Sequence, residues 1–263
     1  IKCFSIGKIT VTDSGAGGIS GGTSSYGSIT NSFSTGDIIA NGNSAGGIVG
    51  NNSYGDITNC YSTGNITADE DYAGGIVGYT FSSSISNCYS IGNVTVGDDH
   101  AGGIAGFIQQ GSIQDSIAFN NQVVVAADPA NRIVGEYEGS TYLTNNYANS
   151  SMSIIENGSS KFGDSDANSV WGADIIAEQF KNEDIYNNDG FVSGWDFTNT
   201  WQIKSGADRP TLQGVGDDDG LIPDTTAPTP GDSGTITTSA ISADSITLNW
   251  TKGTDNTSAQ TAL

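Results

Sequence analysis

The sequence predicts an all-β protein whose body is a right-handed parallel β-helix with about 28 residues per coil. The string Ala-Gly-Gly-Ile begins at residues 16, 45, 73 and 101, and the last three copies are spaced 28 residues apart. A fixed period of this size is typical of stacked-repeat architectures. Within each period, short β-branched segments alternate with Gly, Ser and Asn, which is the pattern of strands separated by turns.

Aligning the copies places aliphatic residues in columns. Two columns lie two residues apart, which is strand periodicity with both side chains on one face. The columns are Ile9, Ile38, Ile66, Val94 and Val123; Val11, Ala40, Ala68, Val96 and Val125; Ile19, Ile48, Ile76, Ile104 and Ile133; and Ile29, Ile57, Ile85, Ile113 and Leu143. The pattern predicts three short strands per coil, with like strands stacked about 4.8 Å apart. Crossovers between parallel strands are almost always right-handed, which gives the predicted hand.

The composition excludes several partners. The chain has 29 acidic and 8 basic residues, a net charge of -21, and no Lys or Arg between Lys8 and Arg132. Nucleic acids and anionic lipids need a basic surface, so neither is expected to bind. No apolar stretch is long enough to insert into a membrane. The sequence has one His and no Cys-x-x-Cys pair, which disfavours a zinc site. Abundant Gly, Ser, Thr and Asn with few Lys suggest an extracellular location, at the cell surface or secreted.

Two recurring strings carry a family resemblance. Copies such as Gly47-Ile-Val-Gly50 and Gly75-Ile-Val-Gly78 are followed by Asn59-Cys-Tyr-Ser-Thr-Gly-Asn-Ile66 and its variant beginning at Asn87. Over residues 1–147, the chain resembles the GLUG-motif repeats of bacterial cell-surface proteins. The resemblance implies a surface-displayed β-solenoid, as found in adhesins and beside the catalytic domain of immunoglobulin-cleaving metallopeptidases. This sequence contains no His-Glu-x-x-His motif of such a catalytic domain.

The remaining segments predict further parts. Residues 148–215 hold three of the four tryptophans and are expected to form a small cap over the last coil, with a short helix at 174–181 whose N-cap is Asp174. Residues 216–230 predict a linker. Residues 231–263 resemble the first two strands of a fibronectin type III domain, an incomplete β-sandwich segment. The chain also begins within a coil, which suggests a piece of a longer polypeptide.

Acidic residues recur at one turn of successive coils and form the candidate metal site. Stacked turns could bring their carboxylates close enough to bind Ca²⁺ through oxygen ligands. The alternative is a solvated acidic edge that discourages wrong strand pairing. No other cofactor is expected. The residues are Asp69, Glu70, Asp71, Asp98 and Asp99.

An aromatic column, Phe33, Tyr61 and Tyr89, is the candidate binding site. If the rings face solvent, they offer a platform for sugars. If they pack under the cap, they are ordinary contact surface, which is the arrangement we favour. His100 is a lone histidine, and no residue is assigned a catalytic role.

These features predict a non-enzymatic extracellular structural or adhesive module. Its expected partners are a host-surface or matrix glycan or protein, and other copies joined end to end into a fibre. The alternative is a β-helical protein that binds or degrades polysaccharide, since parallel β-helices also carry such enzymes.

Overall fold

The computed structural model describes residues 2–23, 27–186, 194–216, 236–239 and 247–250. The chain divides into two compact units, Ile1–Leu221 and Ile222–Leu263. Across the described residues the helical elements are α1 (Ala177–Phe180) and a 3-10 turn (Glu183–Tyr186). No helix among these residues is long and apolar enough to cross a membrane. The prediction of an all-β protein is confirmed.

The first five coils of the first unit contribute strands to three sheets, and the last coil contributes strands to two. The seven-stranded sheet contains β2 (Ile9–Val11), β6 (Ile38–Ala40), β10 (Ile66–Ala68), β14 (Val94–Val96), β18 (Gln122–Val125), β22 (Ser153–Glu156) and β23 (Ser159–Lys161). The five-stranded sheet contains β3 (Ala16–Gly17), β7 (Ala45–Gly46), β11 (Ala73–Gly74), β15 (Ala101–Gly102) and β19 (Ala130–Asn131). The 12-stranded sheet contains β1 (Phe4–Ser5), β4 (Ser20–Thr23), β5 (Ile29–Ser34), β8 (Val49–Ser53), β9 (Ile57–Ser62), β12 (Val77–Ser86), β13 (Tyr89–Ser90), β16 (Ala105–Gln114), β17 (Ile117–Ala118), β20 (Val134–Thr144), β21 (Tyr147–Asn149) and β24 (Ala173–Ile175).

The coils stack in register as a parallel β-solenoid. Ile66 pairs with Ile38 on one side and with Val94 on the other, as the repeat period predicts. The solenoid has about six turns spaced about 28 residues apart. Parallel pairing continues past residue 147, because β22 pairs with β18 and β24 pairs with β21. The right-handed sense stays a prediction.

The aliphatic columns form the interior of the solenoid. Ile38, Ile66 and Val94 are each at most 1% exposed. The column through Ile76 lies outside the strands, in the bend between the five-stranded and 12-stranded sheets. Its backbone is still hydrogen-bonded between coils, since Ile76 N donates to Ile104 O over 2.9 Å. The interior is therefore continuous from coil to coil, including at the bends.

The paired glycines allow two coils to approach closely. A Cβ placed on Gly75 would lie 2.2 Å from the carbonyl oxygen of Gly103 and 2.4 Å from Ser90. A Cβ on Gly74 would lie 2.7 Å from the Cα of Ala105 in the next coil and 2.2 Å from the carbonyl oxygen of Val77 in its own coil. Glycine at such a position can supply a positive φ or allow two backbones to approach closely. Close backbone approach is the role observed here.

A second column of residues needs the left-handed conformation. Asn31, Asn59, Asn87, Asp115 and Asn145 have φ between 49° and 55°. Asn and Asp tolerate this region better than other non-glycine residues, because their short polar side chains bond locally. The positive φ makes a backbone turn within β5 and β9 at Asn31 and Asn59, and between strands at Asn87, Asp115 and Asn145.

Free cysteines lie on the inner side of that turn. Cys60 and Cys88 are fully buried and unbridged. The Sγ of Cys60 lies 3.3 Å from the carbonyl oxygen of Thr58, and that of Cys88 lies 3.1 Å from the carbonyl oxygen of Ser86. Burial raises the pKa of the Cys88 thiol well above its usual value. Both residues act as small core side chains.

The segment predicted to cap the last coil has two separate parts. Residues 150–172 cover the C-terminal end of the interior, where Met152, Val170 and Trp171 pack against the aliphatic columns. Strand β23 adds antiparallel to β22 and covers the edge of the seven-stranded sheet. This part covers the last coil.

The second part runs along the side of the solenoid, which corrects the predicted position. We call residues 176–186 and 194–216 the flank segment. It starts beside the last coil and reaches the first, where Lys2 Nζ donates to Gln213 O over 3.1 Å. The segment contains the antiparallel pair β25 (Trp201–Gln202) and β26 (Thr211–Leu212). It covers an apolar lateral face, and burial of that face determines its path.

The predicted helix at 174–181 is also corrected. Asp174 is not its N-cap, because this residue lies in β24, where it pairs with Ala148. Helix α1 begins later, with Ile176 at the N-cap position. The carboxylate of Asp174 accepts a hydrogen bond from Arg132 instead.

The second unit is described at two strands, β27 (Ile236–Ser239) and β28 (Thr247–Trp250), which pair antiparallel. The predicted linker lies outside the described residues, apart from Gly216. The resemblance of residues 231–263 to a fibronectin type III domain stays a prediction.

Candidate binding surfaces

The predicted aromatic column lies under the flank segment. The rings of Phe33, Tyr61 and Tyr89 stack at centroid distances of 4.8 and 4.9 Å, and each residue is at most 1% exposed. Trp201 contacts both tyrosines, with centroids 6.1 and 5.9 Å away. Tyr89 Oη donates to Pro210 O over 2.5 Å. These rings contact protein and not solvent, so they offer no open face to a sugar while the flank segment is in place.

The acidic turn residues take part in a hydrogen-bond ladder that sequence reasoning missed. Asp71 N donates to Asn43 Oδ1 over 2.9 Å, Asp99 N to Asp71 Oδ1 over 3.2 Å, and Asp128 N to Asp99 Oδ1 over 3.2 Å. One side-chain oxygen per coil therefore accepts from the backbone of the next. The 28-residue spacing of these polar residues was the available signal.

The remaining members of the predicted metal site, Asp69, Glu70 and Asp98, are exposed. Among the residues that the structure describes, no group of three or more His, Cys, Asp or Glu is arranged to hold a metal ion. Ca²⁺ binding at this turn stays a prediction.

A second aromatic cluster lies on the outer side of the 12-stranded sheet. We call Tyr72, Tyr79, His100 and Phe107 the outer aromatic patch. Tyr79 and Phe107 stack with centroids 5.7 Å apart, and Tyr72 contacts the other three rings at 5.1–5.7 Å. Burial raises the pKa of Tyr72 and of Tyr79, and nearby carboxylates add to both shifts.

Glutamates of β20 border this patch. His100 Nε2 lies 2.8 Å from Glu136 Oε2. Tyr79 Oη donates to Gln109 Oε1 over 2.9 Å, and Gln109 Nε2 donates to Glu138 Oε2 over 3.3 Å. Because the carboxylates lie beside aromatic rings, the surface suits cationic groups. Sequence reasoning missed the patch, although Tyr79 and Phe107 are one repeat apart.

A concave site lies near the C-terminal end of the solenoid. Its volume is about 450 Å³, and its lining includes Trp171, Phe162 and several serines: Ser150, Ser151, Ser153, Ser160 and Ser165. The Phe162 ring is 88% exposed. The volume falls in the range of small-molecule sites, which combine apolar walls with a few polar groups.

The charges in this cavity are paired. Arg132 donates to Trp171 O, Gly172 O and Asp174 Oδ1, each over 2.7 Å. Lys161 Nζ lies 2.6 Å from Glu156 Oε2. With both cations neutralised, the cavity favours an uncharged polar ligand.

Comparison with known proteins agrees with the repeat analysis. A model of the GLUG motif matches residues 41–67 and 70–95, so the chain carries GLUG repeats. A crystal structure of a "putative immunoglobulin A1 protease" from Bacteroides ovatus has a TM-score of 0.66. It is 24% identical, with 80% of this chain and 67% of that chain covered. A search of curated proteins gives no match.

The class is thus a parallel β-solenoid, and two of its coils match the GLUG motif. At 24% identity, the likeness to the Bacteroides ovatus protein concerns the fold alone.

Proposed function

We propose that the chain is a non-enzymatic extracellular module that serves as a rigid structural or adhesive part of a cell-surface protein. The observation that carries the proposal is the continuous solenoid interior, covered at its C-terminal end and fastened along its side. Such an architecture makes a long surface instead of one enclosed catalytic pocket.

The flank segment supports the rigid role. It contacts the repeats along most of the solenoid, since Lys2 bonds to Gln213, Asn59 bonds to Trp201, and Trp195 Nε1 donates to Asp115 O over 2.8 Å. A stack of repeats is held together mainly by contacts between neighbouring coils. A segment that contacts several distant coils adds contacts between parts of the solenoid that do not stack directly on each other.

The name of the Bacteroides ovatus protein raises the question of proteolysis. Immunoglobulin cleavage is not assigned to this chain, because its sequence has one histidine and no His-Glu-x-x-His motif. In our proposal, the repeats hold other domains in position or attach the protein to a surface, and any catalysis belongs to other domains.

Adhesion is better supported than end-to-end fibre assembly. Met152, Val170 and Trp171 cover the interior at the C-terminal end, which leaves less apolar surface there for another copy. Self-association stays a prediction, and sedimentation and electron microscopy over a wide concentration range would reveal filaments.

Glycan binding is a second candidate, favoured by the cavity near Trp171. Its aromatic walls, serine hydroxyls and paired charges match the needs of a neutral sugar, which presents an apolar ring face and hydroxyl groups. Phe162→Ala would remove an exposed ring from the cavity wall without disturbing the core. Tyr142→Ala is the matched control, because this exposed tyrosine does not line the cavity.

One set of assays tests both candidates. Beads coated with the purified chain are expected to adhere to immobilised matrix proteins or host-cell glycans, and antibodies are expected to label intact cells that produce the protein.

A glycan array reports the second candidate, with binding lost in Phe162→Ala and kept in Tyr142→Ala. Cleavage of immunoglobulin A1 or of polysaccharide by the purified chain would contradict the non-enzymatic proposal. A lack of labelling on intact cells would contradict surface display.

A further inference from the structure

Strand β20 is the edge of the 12-stranded sheet. It has 11 residues and pairs with β16 along its length. Within the described parts of the chain it has no partner strand on its other side. Residues 150–172, which cover the C-terminal end of the interior, bond to residues on either side of β20, since Ile133 N donates to Val170 O and Asn146 N to Ala167 O. Between these points, alternate backbone N–H and C=O groups of an edge strand face outward and can pair with another strand.

Side chains of the interior columns are uncovered along this strand. Tyr137 pairs with Ile108, and Leu143 pairs with Ile113. Both isoleucines are fully buried, whereas Tyr137 is 46% exposed and Leu143 is partly exposed. An added strand would cover these two side chains, as each inner coil covers its neighbour.

Carboxylates line the other face of the same strand. Glu136 and Glu138 are exposed and alternate with Tyr137, so they lie on the outer side beside the outer aromatic patch. On an added strand, a Lys or Arg at the matching position would lie next to a carboxylate and close to aromatic rings. Opposite charges in directly neighbouring cross-strand positions stabilise pairing.

We propose that β20 is a docking edge for an extended, basic segment of a partner protein. The segment adds as a further strand, with apolar residues over Tyr137 and Leu143 and Lys or Arg over Glu136 and Glu138. Backbone hydrogen bonds would supply affinity, and alternate side chains would supply specificity. This extends the proposed adhesive role by a class of partner, but the edge itself does not depend on where the protein is displayed.

A second copy of this chain is disfavoured as the occupant. Two copies of β20 side by side would bring Glu136 and Glu138 near like charges, which destabilises pairing. Each chain also carries a net charge of -21. Repulsion of this kind keeps a protein from self-associating, whereas a basic segment is attracted.

A β-bulge divides the edge into two parts. The register shifts between the pairs Gln109–Glu138 and Gly111–Thr141, so β20 holds one extra residue, and Gly139 has a φ of +65°. Bulges protect edges against indiscriminate pairing. The partner segment must therefore bend at this point, which adds to the selectivity of the edge.

The test uses the full chain and a fluorescent nine-residue peptide of alternating Lys and Val as the probe. We expect binding by fluorescence anisotropy, with slower amide hydrogen exchange across Val134–Thr144. Glu136→Lys/Glu138→Lys should weaken binding about tenfold or more and should favour a Glu–Val peptide. Glu70→Lys/Asp98→Lys is the matched control, because it makes the same charge change at exposed residues outside β20. Glu136→Gln/Glu138→Gln is a milder variant should the reversal disturb folding.

A Lys–Val peptide with N-methyl groups at alternate residues tests the backbone pairing, because it cannot donate along one edge. Equal binding by this peptide would overturn the proposal. So would equal weakening in the control variant, which would indicate general attraction to an acidic protein. Absence of peptide binding, or dimerisation of the chain through β20, would overturn it too. Each of these outcomes leaves adhesion to glycans or matrix proteins as a separate question.

Discussion

The indole Nε1 of Trp201 donates a hydrogen bond to Asn59 Oδ1 over 3.3 Å, although 142 residues separate them in the chain. Asn59 belongs to the column with positive φ, so the backbone turn that shapes each coil also directs a side chain toward the flank segment. Asn87 does the same, because its Nδ2 donates to Gly194 O. Repeat geometry and flank attachment therefore depend on the same residues.

Trp201→Ala is expected to destabilise the protein by about 3–5 kcal/mol, the usual cost of removing a large buried aromatic side chain. Trp201 is fully buried and contacts Trp195, Tyr61 and Tyr89. Urea unfolding measures the effect. Phe162→Ala is the control, since an 88% exposed ring should change stability little. A loss below about 1 kcal/mol for Trp201→Ala would mean that the flank segment is not firmly packed.

Gly75→Ala should be destabilising, because the added methyl group would overlap the carbonyl oxygen of Gly103 and the Ser90 side chain. Overpacking of this kind costs about 1–3 kcal/mol, and backbone atoms cannot move as freely as a side chain. Thermal unfolding reports the change. Gly7→Ala is matched to it, because a Cβ at Gly7 meets nothing within 4 Å. Equal effects in both variants would contradict the close-approach role.

Arg132→Ala should open the covered C-terminal end. The guanidinium donates to two backbone carbonyls and to the carboxylate of Asp174. Without it, these three acceptors lose their hydrogen-bond donor. We expect a cost of about 1–3 kcal/mol, with faster amide exchange in residues 166–174. Lys161→Ala, which removes a more exposed cation than Arg132 from its pair with Glu156, should cost about 1 kcal/mol or less. Unchanged exchange in Arg132→Ala would show that Arg132 does not hold this end closed.

Alkaline pH should destabilise the protein partly through Tyr186. Burial raises the pKa of its phenol well above the ordinary value, so the folded state keeps this proton when the unfolded state has lost it. The resulting stability is complete below pH about 10 and is lost as pH rises toward the folded-state pKa. Urea unfolding between about pH 8 and 11, a range that spans the ordinary pKa of tyrosine, measures the effect. The free energy of unfolding should fall less steeply with pH in Tyr186→Phe than in the unchanged protein. Tyr142→Phe is the matched substitution, because it removes the same hydroxyl from a side chain that is 68% exposed.

The repeat period predicted the solenoid interior, because residues one period apart lie next to each other in adjacent coils and their side chains point the same way. Ile38, Ile66 and Val94 therefore lie where the alignment puts them. The flank segment has no period, and its path depends on an apolar face formed by coils that are distant in sequence. Local sequence can place Asp174 before a helix, but it cannot show that Ala148 and Arg132 hold this residue in a strand.

The sites were harder to predict than the fold. The column of Phe33, Tyr61 and Tyr89 was predicted as a ladder, but only the flank segment decides that the rings face protein. In the outer aromatic patch, Tyr79 aligns with Asn51 and Phe107 with Glu136, so the column is aromatic in only two coils. A column whose residue type differs from coil to coil is hard to recognise in a single sequence.

The path of the flank segment from the last coil to the first has a mechanical consequence. A bare solenoid pulled from one end can shed its coils one after another, because each is held mainly by its neighbours. Here the coil that contains Lys2 is fastened to the flank segment, which also binds the middle of the solenoid. Under a pulling force, this coil could not detach alone, and the array would resist force as one unit until the flank segment itself detached.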